Sequence, residues 1–177
     1  MPIKSIIAVA MPPLHLLAYS TLLGTELYQS FVMTKLAYQA LPRSAFTSLQ
    51  KRVFPVYFKG QTLLLGLVVL TLPPGGPKSL VDNQTSAFAF AVAGGSALLN
   101  LFVYGPETQR LMIERVHQTT RDSNRSTSTD GITSEMHKLN RSFSRAHAMS
   151  IHLNLVTVIA TLYYGWRLSS RLNFEVA

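Results

Sequence analysis

Glu26, His15, His147 and His152 are ionisable side chains set in or against long apolar stretches of this 177-residue chain. Within a membrane such groups are costly, so each has to be paired, neutralised or put to use. The chemistry open to them is the handling of a proton or an ion along a path, or the ligation of a metal or haem by imidazole. Their spacing narrows the choice. His147, Ser150, Asn154, Thr157 and Thr161 recur at intervals that line one face of a helix. His15, Tyr19, Glu26, Gln29 and Met33 share another face, and Ser96, Asn100 and Tyr104 repeat every four residues. Three such polar seams are expected to meet inside a bundle, with His15, Glu26, Gln29, Asn100, His147, Ser150 and Asn154 as its polar interior. Ser, Thr and Asn between helices also serve as plain packing contacts, at about 0.6 kcal/mol each. Glu26 has to take a proton or find a partner, for which His147, His152 or an inward-reaching Lys are the candidates.

Other chemistries are poorly supplied. His147 and His152 lack the three- or four-residue spacing of a compact helical metal site. No Gly-rich phosphate loop, HExxH or GxSxG occurs. With no cysteine, disulfides, thiol nucleophiles and iron–sulfur clusters are excluded. No catalytic residue, metal or cofactor is assigned. The net charge of +8 does not point to nucleic acid, because the basic residues cluster beside apolar windows rather than along one face with stacking aromatics.

The elements that must position these residues follow from where charge is missing. Only 14% of residues are charged, against roughly 25% in soluble domains. Residues 5–25, 60–77, 83–106 and 146–166 contain no Asp, Glu, Lys or Arg. The reading is an all-α integral membrane four-helix bundle in a single membrane domain, 1–177, with spans at about 14–39, 55–72, 86–104 and 146–166. Pro12-Pro13 is expected to open the first helix and Leu41-Pro42 to end it. A cleaved signal peptide is a competing reading of the N-terminus, disfavoured by Pro12-Pro13 and the lack of a clear small-residue cleavage site. Arg43 to Phe54 reads as a short amphipathic interfacial helix between spans one and two, with an extension of span two as the alternative. Gly105-Pro106 must bend or restart span three. Gly60, Gly66, Gly94 and Gly95 are expected to permit close helix approach. Residues 119–134 read as a flexible polar linker.

Basic residues are distributed unevenly between the two sides of such a bundle. Lys4, Lys78, Arg167 and Arg171 fall on the side of the termini, whereas twelve Lys and Arg fall on the other. The excess places the 40–58 and 105–145 segments on the cytosolic or matrix side, with both termini opposite. The Asn83 sequon then lies on the outer side but close to a span, and those at Asn124 and Asn140 on the inner side.

Three stretches bear a further likeness: LPRSAFTSLQKRVFPVYF (Leu41 to Phe58), NLFVYGPETQRLMIER (Asn100 to Arg115) and FSRAHAMSIHLNL (Phe143 to Leu155), with HLLAYSTLLG (His15 to Gly24) in support. In these the chain resembles the transmembrane-protein-205-like family of small four-helix membrane proteins. The matched positions are Pro42, Phe46, Phe54, Pro55, Tyr57 and Phe58, then Asn100, Pro106, Thr108 and Met112, then His147, Ser150 and Asn154. The resemblance implies a part in membrane trafficking or tolerance of toxic compounds, without an assigned reaction. It also implies an amide where this chain has Glu26.

These readings converge on a non-enzymatic multi-pass membrane protein acting in transport, toxic-compound tolerance or membrane organisation. Its partners are the lipid bilayer and, through small-residue faces, a second copy or a membrane protein, but no nucleic acid. The alternative is a haem- or metal-binding membrane redox protein using His15 with His147 or His152.

Overall fold

The computed structural model describes residues 3–125 and 133–171, and it is helical throughout with no strand among them. A first rod runs α1 (Ile3–Leu27), a π turn (Tyr28–Met33) and α2 (Thr34–Ala40). It begins ahead of Pro12-Pro13 and carries both prolines inside it, contrary to the expected start. A proline inside a helix forfeits one i to i−4 bond, and Val9, whose carbonyl loses Pro13 as donor, lies exposed. The rod stops at Leu41, whose extended backbone (φ −108°, ψ 144°) is what a following proline demands.

α3 (Arg43–Leu70) is one unbroken helix of 28 residues, so Arg43 to Phe54 is continuous with the second apolar stretch rather than a separate helix. The reason lies at Pro55. Its missing N–H leaves the Lys51 carbonyl without its helical donor, and the side-chain amide of Gln109 supplies one at 3.1 Å. After Leu70 the chain turns through Gly76, where φ is +67° and an added Cβ would sit 2.9 Å from the Leu70 carbonyl oxygen. A 3₁₀ turn (Gly76–Lys78) and the short α4 (Ser79–Asp82) lead to α5 (Gln84–Leu99), capped by Asn83 accepting from the Ser86 N–H at 3.2 Å.

α5 passes through a second π turn (Asn100–Tyr104) into α6 (Gly105–Arg125) without breaking. The wider turn lets the Gly105 N–H reach the Asn100 carbonyl just where Pro106 cannot continue the α pattern. Residues 119–125, expected as linker, are helical. Thr119, Thr120 and Ser123 hydroxyls bond back to carbonyls of the preceding turn, and Gln118 donates to Asp122 at 2.9 Å. The next stretch of that expected linker, 126–132, lies outside the described residues. α7 (Ser134–Ser169) follows, with Thr133 as its N-cap.

Successive rods run antiparallel. His15 meets the Val68 end of α3, Gln109 meets Lys51, and Asn100 meets Ser150. One apolar core draws on α1 (Ala18, Leu22), α3 (Leu65, Val68), α5 (Ala89, Ala93, Ala97) and α7 (Ala160, Tyr164). The alanines of α5, spaced four apart, are what allow its close packing on α7. The four glycines expected to do this do not: a Cβ at Gly60, Gly66, Gly94 or Gly95 would meet nothing. The close approaches are at Gly105, against the Asn100 carbonyl and 3.2 Å from the Phe58 ring, and at Gly165, against the Tyr19 hydroxyl.

The surface is the reverse of a soluble protein's. Leu63, Phe88, Phe102 and Trp166 are each about seven-tenths exposed, while Glu26, Gln61, Asn100 and Thr157 have no exposure at all. Among the described residues three helices are long and apolar enough to cross a membrane: Arg43–Leu70, Gln84–Ser123 and Ser134–Ser169. At about 1.5 Å per residue each exceeds a roughly 30 Å hydrocarbon core, so their ends project from it. The N-terminal rod turns His15, Glu26 and Gln29 into the interior.

Candidate functional site

The polar groups of α1, α3 and α7 meet in the interior at two levels. Midway along α1, the buried His15 ring bonds the Val68 carbonyl through Nδ1 (3.0 Å) and the Tyr164 hydroxyl through Nε2 (2.6 Å). Tyr164 packs between Tyr19 and Phe90, with ring centroids 5.6 and 4.4 Å away. Tyr19 donates to the Thr161 carbonyl at 3.3 Å.

Two to three turns further along α1 lies a larger network. The Gln61 amide nitrogen donates to Glu26 Oε1 at 3.0 Å, and the Thr161 hydroxyl approaches the same oxygen at 3.5 Å. That nitrogen also lies 3.3 Å from the Tyr57 hydroxyl and 3.4 Å from Asn154 Oδ1. Tyr57 donates to Asn154 Oδ1 at 2.8 Å, and Asn154 Nδ2 donates to Ser30 Oγ at 2.8 Å. Ser30 belongs to the first π turn, so the locally widened helix carries one end of the network. Interior hydrogen bonds of this kind contribute on the order of 0.6 kcal/mol each and fix the register of three helices together.

No cation joins this network. Glu26 forms no ion pair among the described residues, and its neighbours are an amide, a hydroxyl and the phenols of Tyr57 and Tyr19. His147 stacks on Phe143 at 5.3 Å, and the exposed His152 bonds the Ala148 carbonyl at 2.6 Å, so neither is the partner of Glu26. That expectation is corrected: the partners are Gln61 and Thr161, which satisfy a carboxyl without adding a charge to the interior.

The remaining positions sort by helix. Asn100 donates to the Ser150 carbonyl on α7 at 3.0 Å, away from the Glu26 network. Gln29 stays within its own helix, where Thr34 donates to its carbonyl at 2.8 Å. Pro42 is the N-cap of α3, Phe46 packs edge-on to Tyr38, and Phe54 stacks on Phe58. Pro106 and Thr108 lie in the first turn of α6, and Met112 borders a small pocket between α3 and α6. An apolar groove of about 390 Å³, lined by Leu65, Gly66, Val69, Phe90 and Gly94, opens between α3 and α5.

Sequence reasoning missed Gln61, the hub of the network. Its signal was present: a lone amide in the apolar 60–77 window, four residues after Tyr57 and hence on the same helix face. As for metal, no group of three His, Cys, Asp or Glu converges among the described residues. His15 sits level with Tyr164, and the 17 residues from His147 to Tyr164 span about 26 Å of helix. His15 and His147 therefore cannot ligate one haem or metal together.

A family model described as a domain of unknown function (DUF4149) matches residues 17–117, more than half of the chain, taking in the second part of α1, all of α3 and α5 and most of α6. The chain belongs to this family. The DUF4149 chain is also similar to the xanthocillin biosynthesis cluster protein D of Aspergillus fumigatus, with 41% identity over 160 residues covering 90% of each chain. No solved structure matches it. The matched stretch holds Glu26, Tyr57, Gln61 and Asn100, while their α7 partners Ser150, Asn154 and Thr161 lie beyond it.

Proposed function

We propose that the chain is a four-span integral membrane protein that moves or sequesters a small molecule on behalf of a biosynthetic cluster, without catalysing a covalent step. The observation that carries this reading is the uncharged network around Glu26. A carboxyl is held in the interior of an otherwise apolar-faced helix assembly by Gln61, Thr161, Tyr57, Asn154 and Ser30, drawn from three helices. A carboxyl at such depth is costly to keep and is a marker of ion or substrate pathways. The relative's name ties it to a xanthocillin biosynthesis cluster, and in our reading this chain serves the passage of such a product or the cell's tolerance of it.

In this reading the first rod is the fourth span, its polar residues sheltered by α3 and α7. The basic ends of α3, α6 and α7 face the cytosol or matrix, and both termini face away. The resemblance to the transmembrane-protein-205-like family supports the same role in tolerance. The apolar outer faces leave room for a second copy or a membrane partner. A haem or metal redox protein is the weaker reading, because His15 spends both ring nitrogens on Val68 and Tyr164.

The test is complementation. In an Aspergillus fumigatus strain lacking the cluster protein D, this chain is expected to restore the distribution of xanthocillin between cells and medium. Glu26→Gln is expected to reach the membrane in equal amount and fail to restore it. If removing the relative leaves that distribution unchanged, the transport reading is wrong.

A further inference from the structure

Every donor that reaches Glu26 falls on one of its two oxygens. Oε1 receives the Gln61 amide at 3.0 Å and the Thr161 hydroxyl at 3.5 Å, whereas Oε2 is buried and has no partner. Gln61 shows the complementary defect: its Nε2 is fully engaged, and its Oε1 is buried without a partner. Both residues have zero exposure. An ionised carboxylate carries its charge on both oxygens equally and calls for donors at each. Two orphaned acceptors on two side chains that already touch therefore lack the same thing, which is one hydrogen.

We infer that Glu26 and Gln61 form a proton-binding acid–amide pair in the helix interior, with the proton on Glu26 Oε2. The acid O–H then donates to Gln61 Oε1 while the Gln61 N–H donates to Glu26 Oε1, so both orphans are satisfied and no net charge is buried. The surroundings suit a neutral acid. Among the described residues, the titratable groups facing it are the phenols of Tyr19 on α1 and Tyr57 on α3, and α7 presents Thr161 and Asn154. Because the two halves of the pair lie on α1 and α3, binding and release of the proton is tied to the contact between those helices. Loss of the proton sets carboxylate oxygen against amide oxygen and favours their separation. The inference goes beyond the transport reading and does not require it.

Infrared difference spectroscopy of the full-length protein in lipid vesicles at neutral pH tests it. The wild type is expected to show the carbonyl stretch of a protonated carboxylic acid, sensitive to deuterium oxide and displaced when ¹³C-glutamate is incorporated. Glu26→Gln is expected to lose that band entirely, and the swap Glu26→Gln with Gln61→Glu to recover it. A wild-type spectrum with no ¹³C-sensitive acid band overturns the pair whether or not any variant folds. A folded swap variant without the band overturns it too. Protonation with unchanged xanthocillin distribution would retire the transport role and leave the pair standing.

Discussion

The side-chain amide of Gln109 donates to the backbone carbonyl of Lys51 at 3.1 Å, the carbonyl that Pro55 leaves without a helical donor. A residue of α6 thus completes the hydrogen bonding of α3, and a proline that would otherwise weaken a helix becomes a point of attachment between two. Gln109→Ala is expected to cost about 0.5–1 kcal/mol, since water reaches this partly exposed site and replaces some of the lost bond. In a Pro55→Ala background the same change is expected to cost markedly less, because alanine at that position restores the backbone donor. A double-mutant cycle by denaturant unfolding in detergent measures the difference. Equal costs in both backgrounds would show that Gln109 does not serve the proline.

Gly165 faces the Tyr19 hydroxyl so closely that no Cβ fits. Gly165→Ala is therefore expected to destabilise by about 1–3 kcal/mol through overpacking, despite the better helix propensity of alanine. Tyr19→Phe in the same chain is expected to recover part of the loss. The thermal midpoints of the two variants and their combination decide it.

The bond between His15 Nε2 and Tyr164 is short and buried, whereas the Tyr19 bond to the Thr161 carbonyl is longer. Tyr164→Phe leaves a buried imidazole nitrogen without a partner and is expected to cost about 1–2 kcal/mol, near the upper end for hydrogen bonds between membrane helices. Tyr19→Phe is expected to cost about 0.5 kcal/mol, because the Thr161 carbonyl belongs to a helix. Unfolding of the two variants side by side gives the order, and the reverse order would contradict the assigned partners.

The absence of cysteine makes the proposed topology directly measurable. Single cysteines at Ser48 and His117, on α3 and α6, are expected to react with a membrane-impermeant thiol reagent from the cytosolic or matrix side. A cysteine at the exposed Val81 on α4 is expected to react only from the opposite side. Labelling of all three from one side would exclude the four-span arrangement.

Some of this was legible from residues alone. The helical class follows from apolar windows of 18–24 residues, and the inward-facing stripes from spacing: Ser150, Thr157 and Thr161 are buried, as are His15, Glu26 and Gln29. Leu41-Pro42 and the turn after Leu72 acted locally and stop helices where their backbone preferences require. Proline in other settings misled. Pro12, Pro13 and Pro55 all lie inside helices, and for Pro55 the compensating donor comes from a residue 54 positions away. Glycine misled in the same way, since Gly165 packs tightly and Gly60 does not. A glycine permits contact without specifying a neighbour.

The sequence by itself determined that the chain forms long helices with apolar outer faces and buried polar stripes, because periodicity and the cost of charge in hydrocarbon act along a single strand of residues. Only the tertiary structure decided that Glu26 meets Gln61 rather than His147, that α3 supplies the hub, and that Gln109 mends the backbone at Pro55. Those pairings depend on the rotation and axial offset of one helix against another. A helical stripe fixes which face turns inward, but the partner across the interface is set by the packing of all the helices at once.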